Sequence, residues 1–420
     1  VRLALALLLV AAIARADVAQ APPPATFPVT SERLTNGLTV VIHSDPSVSS
    51  VAIALRYDVG PDDATHAGYA HLTETLAALG TVHIKPGDFD QRIDKAGGFS
   101  TSTTDADGIR FTDHVPAGAL ELALFLEAER MAGLADGITD TGLTAALSTI
   151  DAEYRAAYVD EPYALIDREI DHALWGTARD TLVDRATLAK ATRDRVRSYI
   201  RQRLVPANAT LAIAGRVDAQ SALALATKYF GWIPPGTRVV RPSTPIDRLL
   251  APITRTANDP NGRHAVAYRI NQRGADDEVA VEVAARAIVD SLTKTSSNAD
   301  VRYEITHSSS GGELRFVGTS PFTAADIEQA AATALTDDAV RKAAADTELD
   351  LLIALEGLPY RANALASGLE FERRLAVLRT LNADAVKRAA THWLAASAAV
   401  TVLGTADVNR SDVNRPGGAQ

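Results

Sequence analysis

The chain contains no cysteine, a single methionine, few aromatic residues and no run of lysine or arginine. Without cysteine it has no disulfide and no cysteine for a lipoprotein anchor. Aromatics are 5% of the 420 residues, whereas alanine is abundant, and alanine favours helix. The missing basic run or stripe argues against nucleic-acid binding. The formal net charge is −10, a balance that serves solubility. No apolar segment reaches the roughly 20 residues of a membrane-spanning helix. Near the start, Arg2 precedes the apolar stretch Leu3 to Ile13, and small residues follow around Ala16 and Ala19-Gln20-Ala21. That order is expected of a secretory signal over 1–21, cleaved near residue 21. Export without cysteine points to a periplasmic or secreted bacterial protein.

What is present can build a core: 47% of residues are apolar and 22% charged. Ala21-Pro22-Pro23-Pro24 opens an extended linker, 22–31. Strands are expected over 38–43 and 51–57, and a helix over 66–79 that Gly80 stops. A helix over 88–96 ends at Gly97-Gly98, followed by strands at 100–104 and 109–115. Helices over 117–131, 140–158 and 162–174, a strand at 210–214 and a helix at 219–230 complete a first unit, 32–232. Residues 233–258, with Pro234-Pro235-Gly236, read as an interdomain linker. The second unit, 259–408, repeats the plan: strand 265–270, helix 278–293, strands 301–306 and 313–317 around Gly311-Gly312, further helices, and strand 400–403. The unit ends agree as well. Asp194-Arg195-Val196 leads to Leu204 and Gly215, as Asp384-Ala385-Val386 leads to Leu394 and Gly404. The expected fold is α+β: two related domains, each a mainly antiparallel sheet with packed helices, and a disordered tail over 409–420.

His71-Leu72-Thr73-Glu74-Thr75 carries the chemistry. On a helix, residues 71 and 75 lie one turn apart on one face, with residue 74 beside them. A motif H-x-x-E-H there would put two imidazoles on one metal and a carboxylate next to its water. Here the second histidine is Thr75.

The surroundings resemble the M16 family of zinc peptidases, which includes pitrilysin, insulysin and the mitochondrial processing peptidases. Gly80-Thr81 matches the Gly-Thr pair after the family's inverted motif. Gly97-Gly98 with Thr104, Asp107 and Phe111, then Leu126-Glu127-Ala128-Glu129-Arg130-Met131, then Val205-Pro206-Ala207-Asn208-Ala209-Thr210 and Gly215, follow in the family's order. The resemblance covers about residues 32–405. It implies half of an M16 clamshell. It also implies that Glu153, in Glu153-Tyr154-Arg155, is the third metal-ligand position beside His71, with Glu74 as a vestigial general base. Tyr303 matches the family's tyrosine that contacts substrate and steadies the transition state. Ser296 stands where its partner arginine belongs, and Thr101 where the substrate-edge asparagine belongs. Thr101, Ser102 and Thr104 are the candidate substrate-binding residues, by addition of a peptide strand to the edge near 100–104.

His71 and Glu153 are two ligands where a catalytic zinc takes three and a water. His66 stands nearby but off the face of Glu74, and His83 lies past the helix end. The expected function is a non-catalytic peptidase-like subunit that pairs, as a heterodimer, with a zinc-bearing M16 homologue and helps to hold an extended or unfolded peptide. The alternatives are an active zinc metalloendopeptidase with an atypical site and a stand-alone peptide-binding envelope protein. Zinc is the cofactor if the site functions, and otherwise there is none.

Overall fold

The computed structural model describes residues 27–59, 66–160, 164–176, 185–240, 247–294, 300–309 and 311–405. The expected signal segment, the tail over 409–420 and Ser296 lie outside the described residues.

Strands β1 (Val29–Arg33), β2 (Thr39–Ser44) and β3 (Ser50–Tyr57) lead to helices α1 (Tyr69–Ala77) and α2 (Asp88–Lys95). The hairpin β4 (Phe99–Thr104) and β5 (Ile109–Pro116) follows. Next come helices α3 (Leu120–Gly137), α4 (Asp140–Arg155), α5 (Leu165–Trp175), α6 (Arg185–Leu188) and α7 (Arg193–Arg203), then β6 (Ala209–Gly215) and α8 (Ala219–Phe230). The second half comprises β7 (Ile253–Asn258), β8 (His264–Ile270), α9 (Glu278–Leu292), β9 (Arg302–Ser308) and β10 (Gly311–Gly318). Helices α10 (Ala324–Ala334), α11 (Asp337–Glu356), α12 (Leu358–Ala366), α13 (Phe371–Thr380) and α14 (Ala383–Trp393) precede β11 (Val400–Thr405).

One sheet has the order β1-β2-β6-β3-β5-β4 and the other β7-β11-β8-β10-β9. Without β1 the two agree strand for strand. Each has one parallel pair, β2 with β6 and β7 with β11, among antiparallel neighbours. The fold is α+β in two related halves, as expected. Two boundaries differ from the sequence reading. Phe27 to Ser31 belong to the fold rather than to a linker: the Phe27 ring meets His43 and Phe371, and Val29 begins β1. The segment read as an interdomain linker ends in β7, the edge strand of the second sheet.

Alternation in the strands decides how the halves join. Val51, Ile53 and Leu55 of β3, with Leu211 and Ile213 of β6, share a core with Leu124, Ile200 and Phe230. Ala52, Ala54, Ala212 and Ala214 point the other way. Small side chains on that face let a helix come close, and α12 from the second half packs there with Leu358, Ala362 and Leu365. Polar ties fix it: Thr112 donates to Asn363 at 2.7 Å and Arg361 to Asp45 at 2.6 Å. The second sheet repeats the device. Ala265 and Ala267 of β8 receive Ile166, Ile170 and Leu174 of α5, a helix from the first half. Arg315 of β10 donates to Asp167 and Asp171 at 2.7 and 2.6 Å, and Trp175 Nε1 donates to Glu313 at 2.9 Å. Each half therefore lends a helix to the alanine face of the other's sheet. Asp107, in the β4–β5 turn, pins the halves at a further point. It is buried between Arg56 and Arg273, at 3.2 and 3.1 Å, and accepts the N–H and hydroxyl of Ser309.

Candidate functional site

Helix α1 starts after Gly68, which is left-handed at φ 79°. Its last turn runs into Gly80, at φ 92°, where a Cβ would lie 2.2 Å from the Ile84 carbonyl oxygen. The next residue, Thr81, closes the loop. Its hydroxyl donates to Glu129 at 2.7 Å and accepts the N–H groups of His83 and Ile84. The Gly-Thr pair thus sets where α1 ends, and with it the placement of His71, Glu74 and Thr75.

The fold brings together three of the residues singled out in the sequence. His71 Nε2 is 2.7 Å from Glu153 Oε2, at the end of α4, and Nδ1 is 3.6 Å from Glu74 Oε2. Glu74 also accepts the Ser102 hydroxyl at 2.9 Å and the Thr104 hydroxyl. Both hydroxyls stand on β4, the free edge of the first sheet. Burial opposes charge on both His71 and Glu74, but the hydrogen bonds outweigh it. His71 is held above its usual pKa by Glu74 and Glu153, and Glu74 below its own by His71, Thr104 and Ser102.

Thr75 takes no part in this cluster. Its hydroxyl donates at 3.0 Å to the carbonyl of His71, one turn back in its own helix. His83 turns instead to Glu129, with Nδ1 3.0 Å from Oε1, and His66 packs against the rings of Tyr69 and Tyr199. Among the described residues no group of three or more His, Cys, Asp or Glu side chains is gathered to hold a metal. One imidazole and one carboxylate, already closed on each other, do not fit the three-ligand set of a catalytic zinc. The arrangement can bind a proton between acids and fix the edge strand to α1.

The strand period separates the β4 residues. Ser102 and Thr104 share the side that meets Glu74, and Thr101 stands on the other, opposite Thr112. Tyr303 lies elsewhere, half-buried on β9, the matching edge of the second sheet. Burial raises its pKa and the neighbouring Arg286 of α9 opposes that rise by charge and hydrogen bonding. Arg286 escaped the sequence reading. Its signal was the helical spacing of Glu278, Glu282 and Arg286, which together line a cavity of about 510 Å³ with Tyr303. Beyond Glu153 the chain makes a wider, π-type turn over Ala156–Asp160 before it crosses to the second sheet as α5. Such turns recur at functional sites.

Residues 39–164 match the family described as Insulinase (Peptidase family M16), and residues 190–316 match Peptidase M16 inactive domain. The chain belongs to the peptidase M16 family. An uncharacterized zinc protease of Mycobacterium leprae is 29% identical over 203 residues, 47% of this M16 chain and 45% of that protein. The match spans about half the length of the curated relatives. Among solved structures, a protease from Helicobacter pylori superposes with a TM-score of 0.78 at 18% identity. The match covers 90% of this chain and all of that one. The periplasmic protease PqqL of Escherichia coli gives a TM-score of 0.73 at 15% identity, over 91% of this chain but 48% of its own. In fold, this M16 chain thus spans the whole of one solved M16 chain and about half of the longer PqqL.

Proposed function

We propose that this chain is a non-catalytic M16 subunit. It pairs with a zinc-bearing homologue of the same fold and helps to hold an extended peptide along the β4 edge. The observation that carries the reading is Thr75: its hydroxyl is spent on the His71 carbonyl, while His71 and Glu153 close directly on each other. Glu74 sits beside them, hydrogen-bonded to Ser102 and Thr104. A base without an activated water contributes little to peptide hydrolysis. The length of the match to PqqL supports a half that needs a counterpart. The neighbour described as periplasmic agrees with export and cleavage of 1–21, and peptide is the ligand class of such a chamber.

Metal content and mixing test this. The purified chain alone should contain less than stoichiometric zinc and leave unfolded peptides intact. Mixed with a zinc-bearing M16 chain from the same cell, it should co-elute and raise the cleavage rate. Failure of every such chain to associate refutes the paired role and leaves stand-alone peptide binding. A second reading, an active zinc endopeptidase, draws on the convergence of His71, Glu74 and Glu153 and on the zinc-protease relatives. It requires stoichiometric zinc and peptide cleavage that Glu74→Ala abolishes.

A further inference from the structure

Behind the β4–β5 hairpin lies a polar cluster that the His71 site does not use. Asp113 of β5 and Glu127 of α3 are both 0% exposed. Arg130, one turn after Glu127, places Nη1 3.0 Å from Glu127 Oε1. Its guanidinium is sandwiched between Phe89 and Phe111, 3.9 and 4.0 Å from the ring centroids. Tyr57 of β3 is buried alongside, its hydroxyl without a hydrogen-bonding partner among the described residues. Asp90 of α2 faces Asp113 from another side. Ser100 of β4 is the register partner of Asp113 across the hairpin.

The charges do not balance. Two ionised carboxylates against one guanidinium leave a net negative charge away from water, which is strongly unfavourable. Two carboxylates in one site do not both ionise at neutral pH. The two carboxyls meet each other, Ser100 reaches Asp113 and Arg130 reaches Glu127; among the described residues no other donor of good geometry reaches their oxygens. A carboxyl proton removes both defects: it cancels the surplus charge and supplies the missing donor.

We infer that Asp113 and Glu127 share one proton at neutral pH, and that this proton fastens α3 to the sheet beneath edge strand β4. Burial raises both carboxyls, and Arg130 opposes the rise at each. The inference does not depend on whether the chain is a catalytic or a non-catalytic subunit. In the unfolded chain Glu127 ionises near pH 4.3, roughly the model-peptide value. Between that value and the raised folded one, unfolding releases the proton. Stability from this group is complete below the unfolded pKa and is lost as pH rises toward the folded pKa. The device is alkaline-sensitive: above neutral pH the fastening between α3 and β5 weakens.

Urea unfolding of the full chain at a series of pH values between about 6 and 9 tests this. Glu127→Gln keeps a donor toward Asp113 but cannot titrate. The unfolding constant of wild type relative to this variant should grow about tenfold per pH unit. Asp113→Asn leaves Glu127 as the sole counter-charge of Arg130 and should flatten the dependence in the same way. A ratio that stays constant with pH overturns the inference. If neither variant folds, wild-type unfolding at about pH 8 in the presence of a pH indicator must release protons. Absence of release overturns it equally.

Discussion

At position 75 a hydroxyl stands where a second imidazole would complete a metal site, and it donates to its own helix. Thr75→His tests the placement of the other ligands, because His71 and Glu153 already converge at 2.7 Å. Zinc affinity, read by calorimetry, should rise by orders of magnitude. No rise would show that His71 and Glu153 do not mark a ligand site. His307 gives a second test. Burial lowers its pKa to about 4, and among the described residues Nε2 has no hydrogen-bonding partner. It is neutral in the fold and protonates near pH 6.5, roughly, once unfolded. Stability should therefore be full above that pH and fall toward the folded value by up to about tenfold in the unfolding constant per pH unit. His307→Gln should flatten this acid limb in urea titrations, and an unchanged limb would assign the loss to other groups. The approach of His71 to Glu153 was open to sequence reasoning, although 82 residues separate them, because family spacing marks both positions. The bonds of Ser102 and Thr104 to Glu74 were not. A hydroxyl on an edge strand reads equally as a ligand contact or as a strut, and only the position of α1 distinguishes them.

Among the elements, legibility followed the apolar pattern. Val51-Ala52-Ile53-Ala54-Leu55 alternates and reads as a strand. Strand β1 escaped because its residues are all exposed and mostly polar, so that backbone pairing alone places it, and β7 because only Ile253 and Ala257 of its residues turn inward, onto the core under α5. The alternation also hid a second meaning: its alanines are the landing face of a helix from the distant half of the chain. Ala54→Leu would overpack that face against α12 and should cost about 1–3 kcal/mol. Ile170 of α5 is fully buried on the second sheet. Ile170→Ala should cost about 2–5 kcal/mol. Both are measurable by urea denaturation, and a neutral result at either position would mean that the helix does not pack there.

For the whole molecule, the pairing proposed above predicts a size measurement. Alone, the 420-residue chain should sediment as one species near 44.4 kDa, and mixed with a zinc-bearing M16 homologue it should sediment as a heterodimer if the proposed pairing holds. A stable homodimer would instead place both halves of the chamber in copies of this chain. Finally, the reciprocal loan of α5 and α12 sets an order of events during synthesis. When residue 240 leaves the ribosome, the first sheet can pair all its strands, yet Ala52, Ala54, Ala212 and Ala214 still lack α12. The helix that covers them is made more than a hundred residues later. The first half cannot complete its fold before the second exists, and α5 has nothing to dock on until β7, β8 and β11 form. Maturation is thus a whole-chain event. A chain truncated at residue 240 should be prone to aggregation, while the full chain should refold in one cooperative transition.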